Sequence, residues 1–253
     1  MTWHAVGGSS DPAATVVGAV HGMADHWTTW RTLAGELGRD HRWYAFAAPW
    51  RGSGAVPTSP GDCVGKALRQ APEPIEILAG HSFGANAVLD HLATGAAPDV
   101  RAALLIAPLI RPPGNPPRPV LIARTRAALR TVVADGLRAR LGARGEAMDA
   151  DVFAGMTAAV LDGMPGDAVE AVLDRILDTP RPALAGVTVP ALVLSGRSDQ
   201  RMAGARPGSL AVLPHAQVRI RDRYDHFCHL TQAADVAADW VAFRNRLTRG
   251  VAA

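Results

Sequence analysis

The chain has 253 residues, 48% hydrophobic and 19% charged, with a formal net charge of +3. That length suits one large α/β domain or two small ones, and a core that needs neither disulfides nor metals. No apolar run reaches the roughly 18–20 residues of a membrane span, Met1 to Asp11 lacks the basic-then-apolar pattern of a secretory signal, and no basic stripe interleaved with aromatics points to nucleic acid. Arginine supplies nearly all the positive charge, Lys66 being the only lysine. The expectation is a cytoplasmic protein in which Cys63 and Cys228 are reduced thiols.

Short apolar runs of β type alternate with helical patterns, which predicts a mostly parallel sheet covered by helices on both faces. Thr15–Val20 is a buried-strand run, and Trp30, Leu33, Ala34 and Leu37 then recur at helical spacing. Trp43–Ala47 gives a second strand, followed by a loop from Pro49 to Pro60 and a short helix over Val64–Arg69. Ile75–Ala79 reads as a third strand, Phe83–Leu92 as a helix and Ala102–Ala107 as a fourth strand.

The rhythm breaks at the proline-rich stretch from Arg111 to Pro119. From about Val120 to Asp178 the pattern is helical, with Leu129, Val133, Leu137 and Leu141 on one face. Further helical segments read over Val152–Leu161 and Ala168–Leu177. Strands resume at Ala191–Leu194 and Gln217–Ile220, and a last amphipathic helix carries Val236, Trp240, Phe243 and Leu247. Residues 1–110 and 186–253 are therefore assigned to an α/β core. Residues 111–185 form an all-helical insertion, bounded by Pro112-Pro113 and Pro180-x-Pro182.

The strongest chemical signal is Gly80-His81-Ser82-Phe83-Gly84, set between a strand and a helix. A serine there sits on a tight turn that lifts its hydroxyl above the sheet, and the helix N-terminus aims N–H groups at the place where an oxyanion would form. A serine hydroxyl needs a base within hydrogen-bond reach. Of nine histidines, His226 lies after the last strand and before the last helix, where it can reach the same end of the sheet; His229 is its rival in that loop. The imidazole needs an acceptor on its other nitrogen. Asp199 follows the strand that ends in Ser195-Gly196, and Asp225 and Asp222 are the nearby alternatives. Backbone N–H groups of Phe83 and Met23 are the expected oxyanion donors, with Gly22 allowing the turn and His21 pinning the loop. His226 and His229 flank Cys228, but no further ligand spacing supports a metal, and no cofactor is expected.

Taken together with His21-Gly22, Trp27, Trp30, Arg51-Gly52-Ser53-Gly54 and Gly196–Asp199, these segments resemble the α/β-hydrolase superfamily over nearly the whole chain outside the insertion. The resemblance implies an α/β-hydrolase fold with a helical cap, and Ser82, Asp199 and His226 in that fold's chain order. Serine at the elbow separates the chain from the dehalogenase and epoxide hydrolase branches, which carry aspartate there. Only about fourteen residues precede Thr15, so the family's opening hairpin should be shortened, and Trp50 stands near where many relatives have aspartate. The implied function is hydrolysis of a small to medium apolar ester, thioester or lactone, with Trp50, Leu129 and Val133 as candidate pocket residues. A cyclase, a carbon–carbon lyase or a silent binding protein on the same scaffold are the alternatives. Arg124, Arg126, Arg130, Arg138, Arg140 and Arg144 could meet an acidic carrier, such as an acyl-carrier protein or coenzyme A, or simply form a solvated helix face.

Overall fold

The computed structural model describes residues 2–23, 25–50, 59–109, 118–164, 184–197, 199 and 213–251, with Asp167 and Glu170. Among the described residues seven strands form one sheet in the order β1-β3-β2-β4-β5-β6-β7. They are β1 (Thr2–Gly8), β2 (Thr15–Val20), β3 (His41–Ala47), β4 (Ile77–His81), β5 (Ala102–Ile106), β6 (Ala191–Gly196) and β7 (Ala216–Arg221). Only β1 runs antiparallel to its neighbour, with Thr2 opposite Ala47. All other pairs are parallel.

The central strands are apolar on both faces, as a sheet covered on two sides requires. Alternation sends Val16, Val20, Leu78, Leu105 and Val193 to one face. There they pack on Val64 of α2 (Pro60–Leu68) and on Val88 and Leu92 of α3 (Phe83–Leu92). Val17, Ala19, Ala79, Leu104, Leu192 and Leu194 point the other way, onto Leu33 of α1 (Arg31–Glu36) and onto Trp30 just before it. After β7 come a one-turn helix, α7 (Cys228–Thr231), and the last helix, α8 (Ala233–Val251). Val236, Trp240 and Phe243 of α8 close that second layer. Between β5 and β6 lie α4 (Arg118–Leu141), α5 (Ala143–Glu146) and α6 (Ala150–Asp162). The proline hinges, the Ala168–Leu177 segment apart from Glu170, and Arg51–Gly54 fall outside the described residues.

Several element bounds shift from the sequence expectation, and three differences have a clear physical cause. β1 is the shortened opening element that the resemblance implied; no apolar alternation marks it, because Thr2–Gly8 is mostly exposed and ends in two glycines with positive φ. Its edge position leaves little apolar alternation to read. It is a single antiparallel strand where a full hairpin is usual for the fold it resembles. α2 starts at Pro60, four residues early, because Ser59 Oγ accepts the Asp62 N–H at 3.3 Å and Pro60 is preset for the first helical turn. β4 starts and ends two residues later than the apolar run, carrying the strand up to His81. Both cysteines are free and buried. No described helix is long and apolar enough to cross a membrane.

Candidate active site

Ser82 stands alone between the last residue of β4 and the first of α3, at φ 52 and ψ −123. Non-glycine residues avoid this region, and holding one there costs about 1–3 kcal/mol. The surroundings enforce it. The Ser82 N–H donates to Ile106 O at 2.8 Å, and Ser82 O accepts from Ala85 and Asn86. A Cβ on Gly80 would lie 2.6 Å from Ala85 Cα, and one on Gly84 2.4 Å from His21 O. The two glycines thus let α3 approach β2 and β4 closely enough to force the turn.

His226 lies in the loop between β7 and α7. Its Nδ1 is 2.8 Å from Asp199 Oδ1. The carboxylate accepts, so Nδ1 carries the hydrogen and Nε2 is left with a lone pair. The Asp199 loop reaches the His226 loop because Gly196 has no side chain: a Cβ there would sit 1.8 Å from Tyr224 O. Burial would lower the His226 pKa, but Asp199, with Asp225 and Asp25 further off, outweighs it and holds the imidazole above its ordinary 6.5. Ser82 and His226 each keep 8% of their surface exposed. Among the described residues, no hydrogen bond yet joins the Ser82 hydroxyl to His226, a contact that in unliganded sites often closes only with substrate.

The rival residues are occupied elsewhere. Asp225 accepts from the Phe227 N–H at 2.7 Å and the Thr231 hydroxyl at 2.8 Å, so it fixes the turn into α7. Asp222 is exposed and pairs with Arg197. His229 is fully buried, with Nε2 2.8 Å from Thr29 Oγ1, and burial drives its pKa well down. His21 accepts the Ala48 N–H on Nε2 at 3.1 Å and donates from Nδ1 to Gly22 O at 2.9 Å, tying the loop after β2 to the end of β3. Neither the Met23 nor the Phe83 amide donates to another described residue. Phe83 opens α3, where helix amides have no internal acceptor.

The pocket expectations fare unevenly. Trp50 has no exposed surface. Its Nε1 donates to His21 O at 3.2 Å and its ring stands edge-on to Phe83 at 5.2 Å. It supports the elbow from within the core instead of walling a pocket, because the end of β3 turns the indole inward. Val133 is buried and, with Met23, Leu137, Val160 and Phe227, surrounds a cavity of about 20 Å³ between α4, α6 and the core. Leu129 is half-buried further up α4. Of the described α4 arginines only Arg140 reaches inward, to Asp25; Arg126, paired with Glu170, and Arg138, over the Phe153 ring, stay exposed as expected of a solvated face.

Sequence reading missed Asp239. From α8 this buried carboxylate accepts from Arg219, Arg221 and the Tyr224 hydroxyl, so it anchors the chain just before His226. Burial and Asp239 together push the Tyr224 hydroxyl pKa far up. The partners lie 15 to 20 residues from Asp239, beyond any local pattern.

The chain belongs to the alpha/beta hydrolase family, whose profile matches residues 19–239. No curated protein matches it in sequence. Among solved structures it is similar to MenH from S. aureus, with a TM-score of 0.66 at 14% identity over 97% of both chains. A bromoperoxidase from Bacillus anthracis gives 0.70 at 14% identity, over 96% of this chain and 94% of that one. The enol-lactonase from Burkholderia xenovorans gives 0.65 at 17% identity over 96% of both. At such identities the likeness establishes the fold.

Proposed function

We propose that the protein is a serine hydrolase cleaving a small to medium apolar carboxylic ester, thioester or lactone through an acyl-enzyme. The observation that carries this reading is the 2.8 Å His226–Asp199 contact at the same end of the sheet as the strained Ser82 turn. In the proposed first step Ser82 Oγ attacks the substrate carbonyl carbon while its proton passes to His226 Nε2. Asp199 stabilises the imidazolium and keeps its ring oriented. The carbonyl oxygen, now negative, is held by the Met23 and Phe83 N–H groups. Collapse expels the alcohol or thiol, which takes the proton from His226. Water, activated by the same imidazole, then attacks the acyl-Ser82 ester and releases the acid. No metal or cofactor enters these steps.

We further propose that residues 111–185 act as a cap that sets substrate choice. Support comes from α4, which places Val133 and Leu137 around the cavity beside Met23. That cavity has room for about one water molecule. A cytoplasmic location and an acyl group delivered on coenzyme A or a carrier protein remain within this proposal. Arg124, Arg130 and Arg144 are exposed for such a carrier.

Turnover of nitrophenyl esters from acetate to decanoate, beside the matching coenzyme A thioesters, tests the reading. Steady hydrolysis that Ser82→Ala removes supports it, and the preferred leaving group identifies the carrier. If no ester, thioester or lactone turns over faster with wild type than with Ser82→Ala, the hydrolase reading is wrong and a cyclase or lyase reading takes its place.

A further inference from the structure

A second set of buried ionisable groups lies behind Ser82. Asp25 sits two residues after Met23, His81 immediately before Ser82, and His229 in α7; all three are almost wholly buried. Arg140, in the last turn of α4, reaches in to Asp25, with Nη2 2.9 Å from Oδ1. The same Oδ1 accepts the His26 N–H at 2.7 Å. The other carboxylate oxygen, Oδ2, faces His81 Nδ1 at 3.5 Å. On its far side, His81 Nε2 is 2.9 Å from the backbone oxygen of His226.

A carbonyl oxygen only accepts, so His81 Nε2 carries a hydrogen. His81 Nδ1 and Asp25 Oδ2 face each other at 3.5 Å without making a hydrogen bond, and neither atom has another partner among the described residues. Burial pushes the His81 pKa down despite the pull of Asp25. Burial alone would raise the Asp25 pKa, but His81, Arg140 and His21 together hold it far below the usual carboxylate range. Asp25 is therefore a buried anion whose permanent counter-charge comes from α4. Such an anion is costly once its partner leaves. A second contact comes from the same helix one turn earlier: a Cβ on Gly136 would lie 2.6 Å from the Phe227 ring, next to His226.

Building on the Ser82 hydrolase reading, we infer that Arg140 and Asp25 are positioning residues for the reaction: Arg140 of α4 locks Asp25, and Asp25 with His81 sets the Met23 amide and the backbone of His226. The chain of contacts reaches the proposed catalytic groups on two sides, through the loop that carries Met23 and through the His226 carbonyl. The placement of the inserted helices is thereby read out at the reacting atoms. Asp25, His81 and His229 also bring one potential ligand atom each within 4.8 Å. Arg140 already neutralises the single carboxylate of that set, which favours an ion pair over a metal.

The test is the pH profile of kcat/KM for a soluble aryl ester with wild type, Arg140→Met, Arg140→Lys and Asp25→Asn. The groups facing His226 are Asp199, Asp225, Asp25 and the His81 ring. Those facing Asp25 are His81, Arg140 and His21, with His229 close by. Arg140→Met leaves Asp25 without its cation, so His226 holds its proton to higher pH and the acid limb moves up. Asp25→Asn removes the carboxylate, so the limb moves down. For both, kcat should fall by about 10- to 100-fold with KM little changed, the loss expected from misplacing catalytic groups by up to about 1 Å. Arg140→Lys should recover most of the rate. The Arg140 side chain is 30% exposed, but its removal strands the buried Asp25, so Tm is recorded for every variant, and Arg140→Lys, which keeps the charge, reports even if Arg140→Met or Asp25→Asn folds poorly. An unmoved limb and unchanged kcat in Arg140→Met overturn the inference, as does a zinc-dependent rise in wild-type Tm that His229→Ala removes. Ser82→Ala in the same assay keeps the two readings apart: if it retains activity the hydrolase reading has failed, and if it is inactive while Arg140→Met is unaffected only the positioning role has.

Discussion

Gly84→Ala probes how the sequence creates the elbow. A Cβ at this position would lie 2.4 Å from His21 O and 2.5 Å from Val20 O, against an ordinary contact that begins near 3.4 Å. The shortfall is 3.4 − 2.4 = 1.0 Å. Both obstacles are backbone atoms, and His21 O also accepts from Trp50, so neither moves cheaply. The start of α3 must shift instead, carrying Ser82 Oγ and the Phe83 amide with it. A displacement of about 1 Å at the reacting groups costs about 100-fold in rate, and overpacking of this kind costs about 1–3 kcal/mol of stability. Gly155→Ala is the control. That glycine lies in α6 with no described atom within 4 Å of its would-be Cβ. Helix propensity alone then predicts a gain of about 0.5–1 kcal/mol. Urea unfolding followed by circular dichroism, with kcat/KM on an aryl ester, reads both effects. If Gly84→Ala matches wild type in stability and rate, steric enforcement of the turn is refuted.

Asp199→Asn should lower kcat by about 10⁴-fold, because an amide supports the wrong imidazole tautomer. Asp225→Asn should leave turnover nearly intact and lower stability by about 1 kcal/mol through its turn contacts; equal rate losses in steady-state assays would leave the acid unassigned. His226→Ala should abolish turnover, whereas His229→Ala, which strands the buried Thr29 hydroxyl, should mainly cost about 1–3 kcal/mol in thermal or urea unfolding. The acid limb of kcat/KM should lie above pH 6.5, since His226 must lose a proton to act as base and its pKa is raised. Stability runs the other way: the folded state holds this proton more tightly, so the contribution is full below pH 6.5 and fades as pH rises through the raised value. A limb below 6.5 would contradict the assigned environment.

The fold was legible where local pattern and tertiary role coincide. β5, β6 and α3 are apolar because both faces of the sheet are covered, and their sequences announce it. Ser82, Gly80 and Gly84 were readable because a strained turn imposes fixed spacing. The contact between Asp199 and His226 was readable because each residue follows a strand that ends on the same side of the sheet. β1 was not, since an exposed edge strand need not alternate. The inward turn of Arg140 was hidden among its neighbours: six arginines between Arg124 and Arg144 look alike, and only the packing of α4 against Asp25 distinguishes one. His81 carried no signal either, because its partners, Asp25 and the His226 carbonyl, lie 56 and 145 residues away.

The central claim is that Ser82 is a nucleophile activated by His226 and Asp199. Reaction of the purified protein with a fluorophosphonate, followed by intact mass and peptide mapping, tests it most directly. The account predicts one adduct per chain, located on Ser82, absent from Ser82→Ala and formed far more slowly by His226→Ala and Asp199→Asn. No adduct on wild type, an adduct on another residue, or a labelling rate indifferent to His226 would contradict it.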